Sequence, residues 1–549
     1  MKTHPVRLLV TGLAFLAVNV PAAVFYVDVN GTNATPPYAD WNTAATNIQD
    51  AINAASSGDM VLVTNGLYQS GTQHFYDPSN QANVLSIIQI PSGVTVSSVN
   101  GPGATLIKGG SPRVCACLIG NSVLSGFTLT NGSAFGLGNN YFGGGAYCQT
   151  TNALISDCVI CSNTAYAGAG IYLGTLTNCI LSNNVASGFA DPSGHHYSGG
   201  GAYGSVMNNC ILVGNTALQG GGAFNGILNN CTLIGNTAYA SGTIGAGGGA
   251  FGGVLNSCMV ISNVASYTYG GGGGADCSNV MNSCLIIYNQ AGPDGAGVAQ
   301  GSALTNCTIC YNGTTTGDDA EVVRFCTLRN CIMYYNFYAA NYVSYGGNDL
   351  KNCCVDPPTL SQNIGNSITN IPLFVNINND FHLQSNSPCI NSGNNACVNT
   401  TNDLDGNARI VGGTVDIGAY EYQTPTSIIS YAWLQQYGLP TDGSADYADT
   451  DGTGMNNWQK WIAGLNPTNP TSVLVMSSPV PTDNPSGLVV SWQSVNTRTY
   501  FLQSSTNLGA QPAFSTIQSN IVGQAGTTSY VDTNAVSSGP YFYRVGVQQ

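Results

Sequence analysis

Asp276, Asp294, Asp318, Asp319 and Glu321 gather carboxylates in a chain where only 7% of residues are charged. When successive repeats are aligned, Asp276 and Glu321 fall in the same column, with Val298 at the equivalent place between them. Asp318 and Asp319 replace glycines of a recurring GGGA pattern, and Asp294 lies just before the intervening repeat. On stacked strands, two rungs set the backbones ~10 Å apart. Carboxylate tips then reach the ~6.5–9.5 Å separation of an acid–base pair that inverts a glycosidic bond. These five are the candidate catalytic residues, and the alternative is an ordinary solvated acidic face.

A second set is aromatic. The residue after the Ala of each GGGA is Tyr147, Tyr203, Phe224, Phe251 and then Asp276. With that Ala pointing inward, the rings point outward as a column that suits the apolar faces of sugars. The alternative is rings packed on one another or beneath a loop. A third set is Asp449, Asp451 and Thr453, followed by Gly454, with Asn457 at the ninth place. That is the oxygen spacing of an EF-hand or dockerin-like loop, so these four are candidate ligands and Ca²⁺ the candidate cofactor. The twelfth place should supply a bidentate carboxylate but holds Lys460, and Asp442 and Asp446 stand upstream as substitutes. A solvated acidic turn is the alternative. His195 and His196 are adjacent, so on an extended chain they point apart and cannot share a metal; a protruding loop is expected there.

The elements that must position these groups are repeats. Cys158, Cys179, Cys210, Cys231, Cys258, Cys284, Cys307, Cys331 and Cys353 recur at intervals of 21 to 31 residues. An apolar residue stands three before each Cys, another stands two after it, and Asn five after it from Asn163 to Asn336. Helical periodicity is absent, and 70 glycines disfavour helices. Short strands at this period make a solenoid whose equivalent residues stack ~4.8 Å apart. The Cys column is then an interior ladder, and the Asn column a turn ladder in which Asn accepts the left-handed conformation and bonds to the next rung. The ladder cysteines are expected to stay mainly buried thiols, although neighbouring rungs lie within bridging distance. Cys389 with Cys397, and Cys115 with Cys148, are candidate disulfides.

The stretch NTAATNIQDAINAASSGDMVLVTNGLY (residues 42–68) resembles the capping helix and first rung of pectin-lyase-like right-handed β-helix proteins. Its Ile48, Ala51, Ile52 and Ala55 make one apolar face. The GGGA and Cys-x4-Asn repeats are similar to those of chlamydial polymorphic outer-membrane adhesins, without their FxxN phenylalanine. FHLQSNSPCINSG and DLDGNARIVGGTVDIGAYEY (within residues 381–422) closely resemble the choice-of-anchor Q segment, with Asp405 and Arg409 expected to pair as a clasp. These resemblances imply an all-β fold: a right-handed parallel β-helix with an N-terminal capping helix over residues 24–422. A helical acidic-loop module (430–470) and a fibronectin-like β-sandwich (473–549) follow. Polygalacturonases of the superfamily use Asp groups on neighbouring rungs, which is what the acidic cluster imitates without their motifs. Its uronate lyases use a cationic side chain, and there is no Lys or Arg between Arg113 and Arg324.

Residues 1–23 read as a secretory signal peptide: Lys2 and Arg7, an apolar run from Leu8 to Val20, then Pro21-Ala22-Ala23. The expected location is extracellular or at the bacterial cell surface, with no membrane span in the mature chain, as a monomer. A net charge of −14 excludes nucleic acid as a partner. The expected partner is a polysaccharide or cell-surface glycan. The first functional expectation is a non-catalytic surface or adhesive protein binding neutral glycans along the aromatic column. A polysaccharide hydrolase (or, less in keeping with the charges, a lyase) is the second, and a structural spacer the third.

Overall fold

The computed structural model describes residues 22–135, 141–187, 198–239, 246–266, 271–276, 279–291, 294–299, 301–314, 321–336, 347–356, 364–483, 486–536 and 539–548. The proposed leader up to residue 21, His195, His196, Asp318 and Asp319 lie outside them. The chain forms two compact units, Met1–Ile180 and Leu181–Gln549. Both are built of parallel strands stacked rung on rung, the architecture of a parallel β-helix. Among the described residues no helix is long and apolar enough to cross a membrane.

In the first unit, Phe25, Val61, Val96, Leu124, Ile155 and Leu176 lie in register on successive parallel strands, all buried. The short helix Ile48–Ala54 starts where the Asn47 side chain accepts from the Asp50 N–H, and it buries Ile48, Ala51 and Ile52. A hairpin of Gln73–Asp77 and Ala82–Ile90 is antiparallel, an insertion in an otherwise parallel unit.

In the second unit each coil turns through three strands, such as Val206–Asn208, Ile211–Val213 and Thr216–Ala217, which belong to three different sheets. Met207, Leu228, Leu255, Met281, Leu304, Leu328 and Leu350 form one inward column. Leu212, Leu233, Val260, Ile286, Ile309, Met333 and Val355 form the next. The ladder cysteines sit at the corner between these columns. Each follows a residue in the left-handed region, Asn209, Asn230, Ser257, Ser283, Asn306 or Asn330. Thiols of Cys231, Cys258, Cys284 and Cys307 donate to carbonyls of the preceding rung, those of Met207, Leu228, Leu255 and Met281.

At the following corner Asn184, Asn215, Asn236, Asn263, Asn289, Asn312 and Asn336 form a continuous buried amide ladder. Each Nδ2 donates to the next Oδ1 at 2.9–3.1 Å. The left-handed residue of this turn is the one before the ladder Asn (Asn183, Gly214, Gly235, Ser262, Tyr288, Tyr311 and Tyr335), not the Asn itself. The Asn side chain is used for hydrogen bonding: its amide serves both neighbouring rungs and a backbone carbonyl at once.

Past the solenoid come helices Tyr431–Gln436 and Asn457–Ala463. Two three-stranded antiparallel sheets follow: Val480–Asp483, Ser486–Ser494 and Gly526–Asp532, then Thr499–Ser505, Ser515–Val522 and Phe542–Gln548. They close on Val490, Trp492, Tyr500 and Leu502, as a small sandwich.

Candidate functional site

Register decides where the rings stand. Ala202, Ala223 and Ala250 pair in sequence and are buried, so the next residues, Tyr203, Phe224 and Phe251, pair on the outer side of the same sheet. Their rings stack in parallel, 5.0 Å and 14° for Tyr203 on Phe224, 5.3 Å and 2° for Phe224 on Phe251. All three are half-buried. The glycines set this up: Gly220 has φ +62°, and a Cβ on Gly221 would lie 2.5 Å from the Thr237 carbonyl oxygen. Only a bare backbone can bend this tightly against the next rung.

The same sheet carries a second amide ladder. Asn229 donates to Asn208, Asn256 to Asn229, and Asn282 to Asn256, each at 2.9 Å. Ile227 and Val280 are exposed beside it. The rings therefore pack on one another, the alternative the sequence allowed, and present their edges rather than open faces beside the row of neutral amides. Such a surface can meet a hexose with amides on its hydroxyls and ring edges alongside.

Tyr147 is not part of such a surface. It lies in the first unit, is fully buried, and stacks on Tyr172 at 5.5 Å. Its hydroxyl donates to Asp77 at 2.6 Å and accepts from Asn80. Asp77 ends one strand of the inserted hairpin and Asn80 is in its turn, so the hairpin covers the ring; burial, then the Asp77 bond, raises the phenol pKa strongly.

The acidic cluster does not assemble as the repeat alignment predicts. Ala275, not Asp276, pairs with Val298, and Val298 with Val323; Asp276 pairs with Ala299, and Asp294 with Glu321. Glu321 therefore stands in the column of Asp294, not of Asp276. The Asp276 side chain is only 2% exposed, and its carbonyl accepts from Asn279.

In the acidic loop a cation is already present. The Lys460 ammonium lies against the Asp451 carboxylate and donates to the Ser472 carbonyl at 3.1 Å; both side chains are buried. Thr453 donates to the other Asp451 oxygen at 2.8 Å. Asp449 accepts the Thr453 and Gly454 N–H groups. Asn457 turns its amide to Ala445 and Thr450, and Asp446 accepts from Ser427 and Ile428. Among the described residues no three of His, Cys, Asp and Glu converge on a metal position. Asp449 and Asp451 thus each accept donors within the folded loop, and the Asn457 Oδ1 has no hydrogen-bond partner.

The expected Asp405–Arg409 clasp is partnered differently. Arg409 pairs with Glu421 at 2.9 Å, both buried, while Asp405 meets His382 Nε2 at 2.6 Å. His382 Nδ1 meets Asp380 at 2.5 Å, and the imidazole lies 4.0 Å from the Tyr420 ring. Cys115, Cys148, Cys389 and Cys397 are free thiols, and Cys354, not Cys397, lies against Cys389. Sequence reasoning passed over Trp458 and Trp461, although two Trp three apart beside a helix-capping Asn456 were visible.

No protein-family model matches the chain, and none of the curated proteins matches it. Solved structures do show likenesses. Pectate lyase Pel9A is 16% identical at TM-score 0.41, over 74% of this chain and 97% of that one. A rhamnogalacturonan lyase is 11% identical at 0.33, over 62% and 90%. Pectin methylesterase from carrot is 10% identical at 0.24, over 62% and 90%. Likenesses this distant carry nothing about activity, and the strand pairing of this chain establishes its fold by itself.

Proposed function

We propose that this protein is an exported, non-catalytic carbohydrate-binding protein that holds a neutral glycan along its β-helix. The observation behind this reading is the parallel stack of Tyr203, Phe224 and Phe251 on the sheet that also carries the Asn208–Asn229–Asn256–Asn282 ladder. The chain has 11 Lys and Arg against 25 Asp and Glu, so a neutral ligand suits it better than a uronate. The test is a glycan array probed with the full chain and with Tyr203→Ala/Phe224→Ala. Binding to neutral glycans that falls at least about tenfold in the double variant supports the reading. Equal binding by both proteins overturns it. A hydrolase would need an accessible acid–base pair, and with Asp276 buried it would draw on Asp294, Asp318, Asp319 or Glu321. Release of reducing ends from a polysaccharide, abolished by Glu321→Gln, would establish that reading instead.

A further inference from the structure

A separate cleft lies within the second unit, bordered by the end of the solenoid, the helix Asn457–Ala463 and a turn of the sandwich. Its volume is about 1100 Å³, slightly above the ~300–1,000 Å³ of ordinary ligand clefts. One wall is Trp458 and Trp461, three residues apart on the helix and both half-buried. The lining also includes Asn391, Asn394 and Asn395. No Asp or Glu is among the described lining residues. The one cationic lining group, Arg498, donates to carbonyls instead: Nε to Ile462 at 2.7 Å and Nη2 to Trp461 at 3.3 Å. Those bonds fix the tryptophan-bearing helix against the sandwich.

Asn391 belongs to the scaffold of the cleft. It is fully buried, its N–H donates to Asp416 at 2.7 Å and its Nδ2 to the Ser427 carbonyl at 2.6 Å. Its Oδ1 has no hydrogen-bond partner. That oxygen has no accessible surface, so Asn391 shapes the wall from behind rather than meeting a ligand.

We infer that this cleft binds a neutral saccharide, with sugar rings against Trp458 and Trp461 and hydroxyls on the neutral polar lining. Indole faces take the C–H side of a pyranose. Asn391, Asn394 and Asn395 are tied to backbone groups and hold the wall in shape, while the rest of the lining, Arg498 apart, is neutral and partly polar. An aliphatic ligand would dehydrate the polar part of the lining, and an anionic one would meet no free cation. The site is distinct from the Tyr203–Phe224–Phe251 stack and stands whether or not that stack binds glycan.

Tryptophan emission separates the two sites, because the stack contains only Tyr and Phe. The full chain is titrated with cellohexaose, xylohexaose, mannohexaose and, for charge, hexagalacturonate. A saturable emission change is expected with at least one neutral hexasaccharide and none with hexagalacturonate. Its apparent Kd should rise about tenfold in Trp461→Ala and less in Trp461→Phe, which keeps a ring in place. It should be unchanged in Tyr203→Ala/Phe224→Ala. The proposal fails if none of the neutral hexasaccharides gives a saturable change. It also fails if Trp461→Ala, or Trp461→Phe where the alanine variant does not fold, binds with the wild-type Kd. A tighter response to hexagalacturonate than to every neutral sugar overturns the ligand class.

Discussion

At the scale of single residues, two charged contacts make sharp predictions. Burial pushes the His382 pKa down, but the hydrogen bonds and charges of Asp405 and Asp380 outweigh it and hold the pKa above its ordinary value. A raised folded-state pKa stabilises the fold fully below the unfolded value of ~6.5, and that contribution is lost as pH rises through the folded pKa. Thermal unfolding of wild type and His382→Gln should therefore differ most near pH 6 and converge on the alkaline side. A gap that widens with pH would show that His382 is not held as imidazolium. Lys460 makes the second prediction. Lys460→Met leaves the Asp451 carboxylate buried without its cation, which should cost about 3–5 kcal/mol in chemical denaturation. Calorimetric titration of the wild-type chain with millimolar Ca²⁺ should give no binding heat, because the ammonium already occupies Asp451.

At the scale of the element, the buried Asn ladder welds the coils together. Asn236 takes two hydrogen bonds from Asn215, gives one to Asn263 and one to the Leu212 carbonyl. Asn236→Ala strands buried groups on both neighbouring rungs. At ~1–3 kcal/mol for each unsatisfied group, the expected loss is at least about 3 kcal/mol. Urea denaturation measures it, and Asn→Ala at the half-exposed Asn229 of the outer ladder is the control with a much smaller loss. The corners show how far local sequence reads. Asn at a fixed offset from Cys announced a turn and a ladder, and both exist. Which residue of the turn takes positive φ was not readable, because Gly, Asn, Ser and Tyr all occupy that place.

At the scale of the whole molecule, the interior governs cysteine chemistry. Burial drives the Cys258, Cys284, Cys307 and Cys331 thiols well above their ordinary pKa, so no thiolate is presented to an oxidant or alkylator. Among the described cysteines, only Cys161 and Cys397 are not buried. Brief iodoacetamide treatment of the native protein should mark those two and spare the ladder, as peptide mass spectrometry can show. Labelling of Cys258 or Cys284 without denaturant would mean that the solenoid opens. The repeat itself was legible from sequence: apolar residues at fixed offsets from Cys can be satisfied only by stacking coils, and the inward columns consist of those residues. The outward stack of Tyr203, Phe224 and Phe251 was legible for the same reason, since it follows from period and alternation. Contacts between segments far apart in the chain were not. The hairpin that covers Tyr147, the strand register that separates Glu321 from Asp276, and the partners of Arg409, Asp405 and Lys460 depend on how distant segments meet. Periodicity determines which face a residue takes on its own strand; only the folded chain decides what else comes to rest against that face.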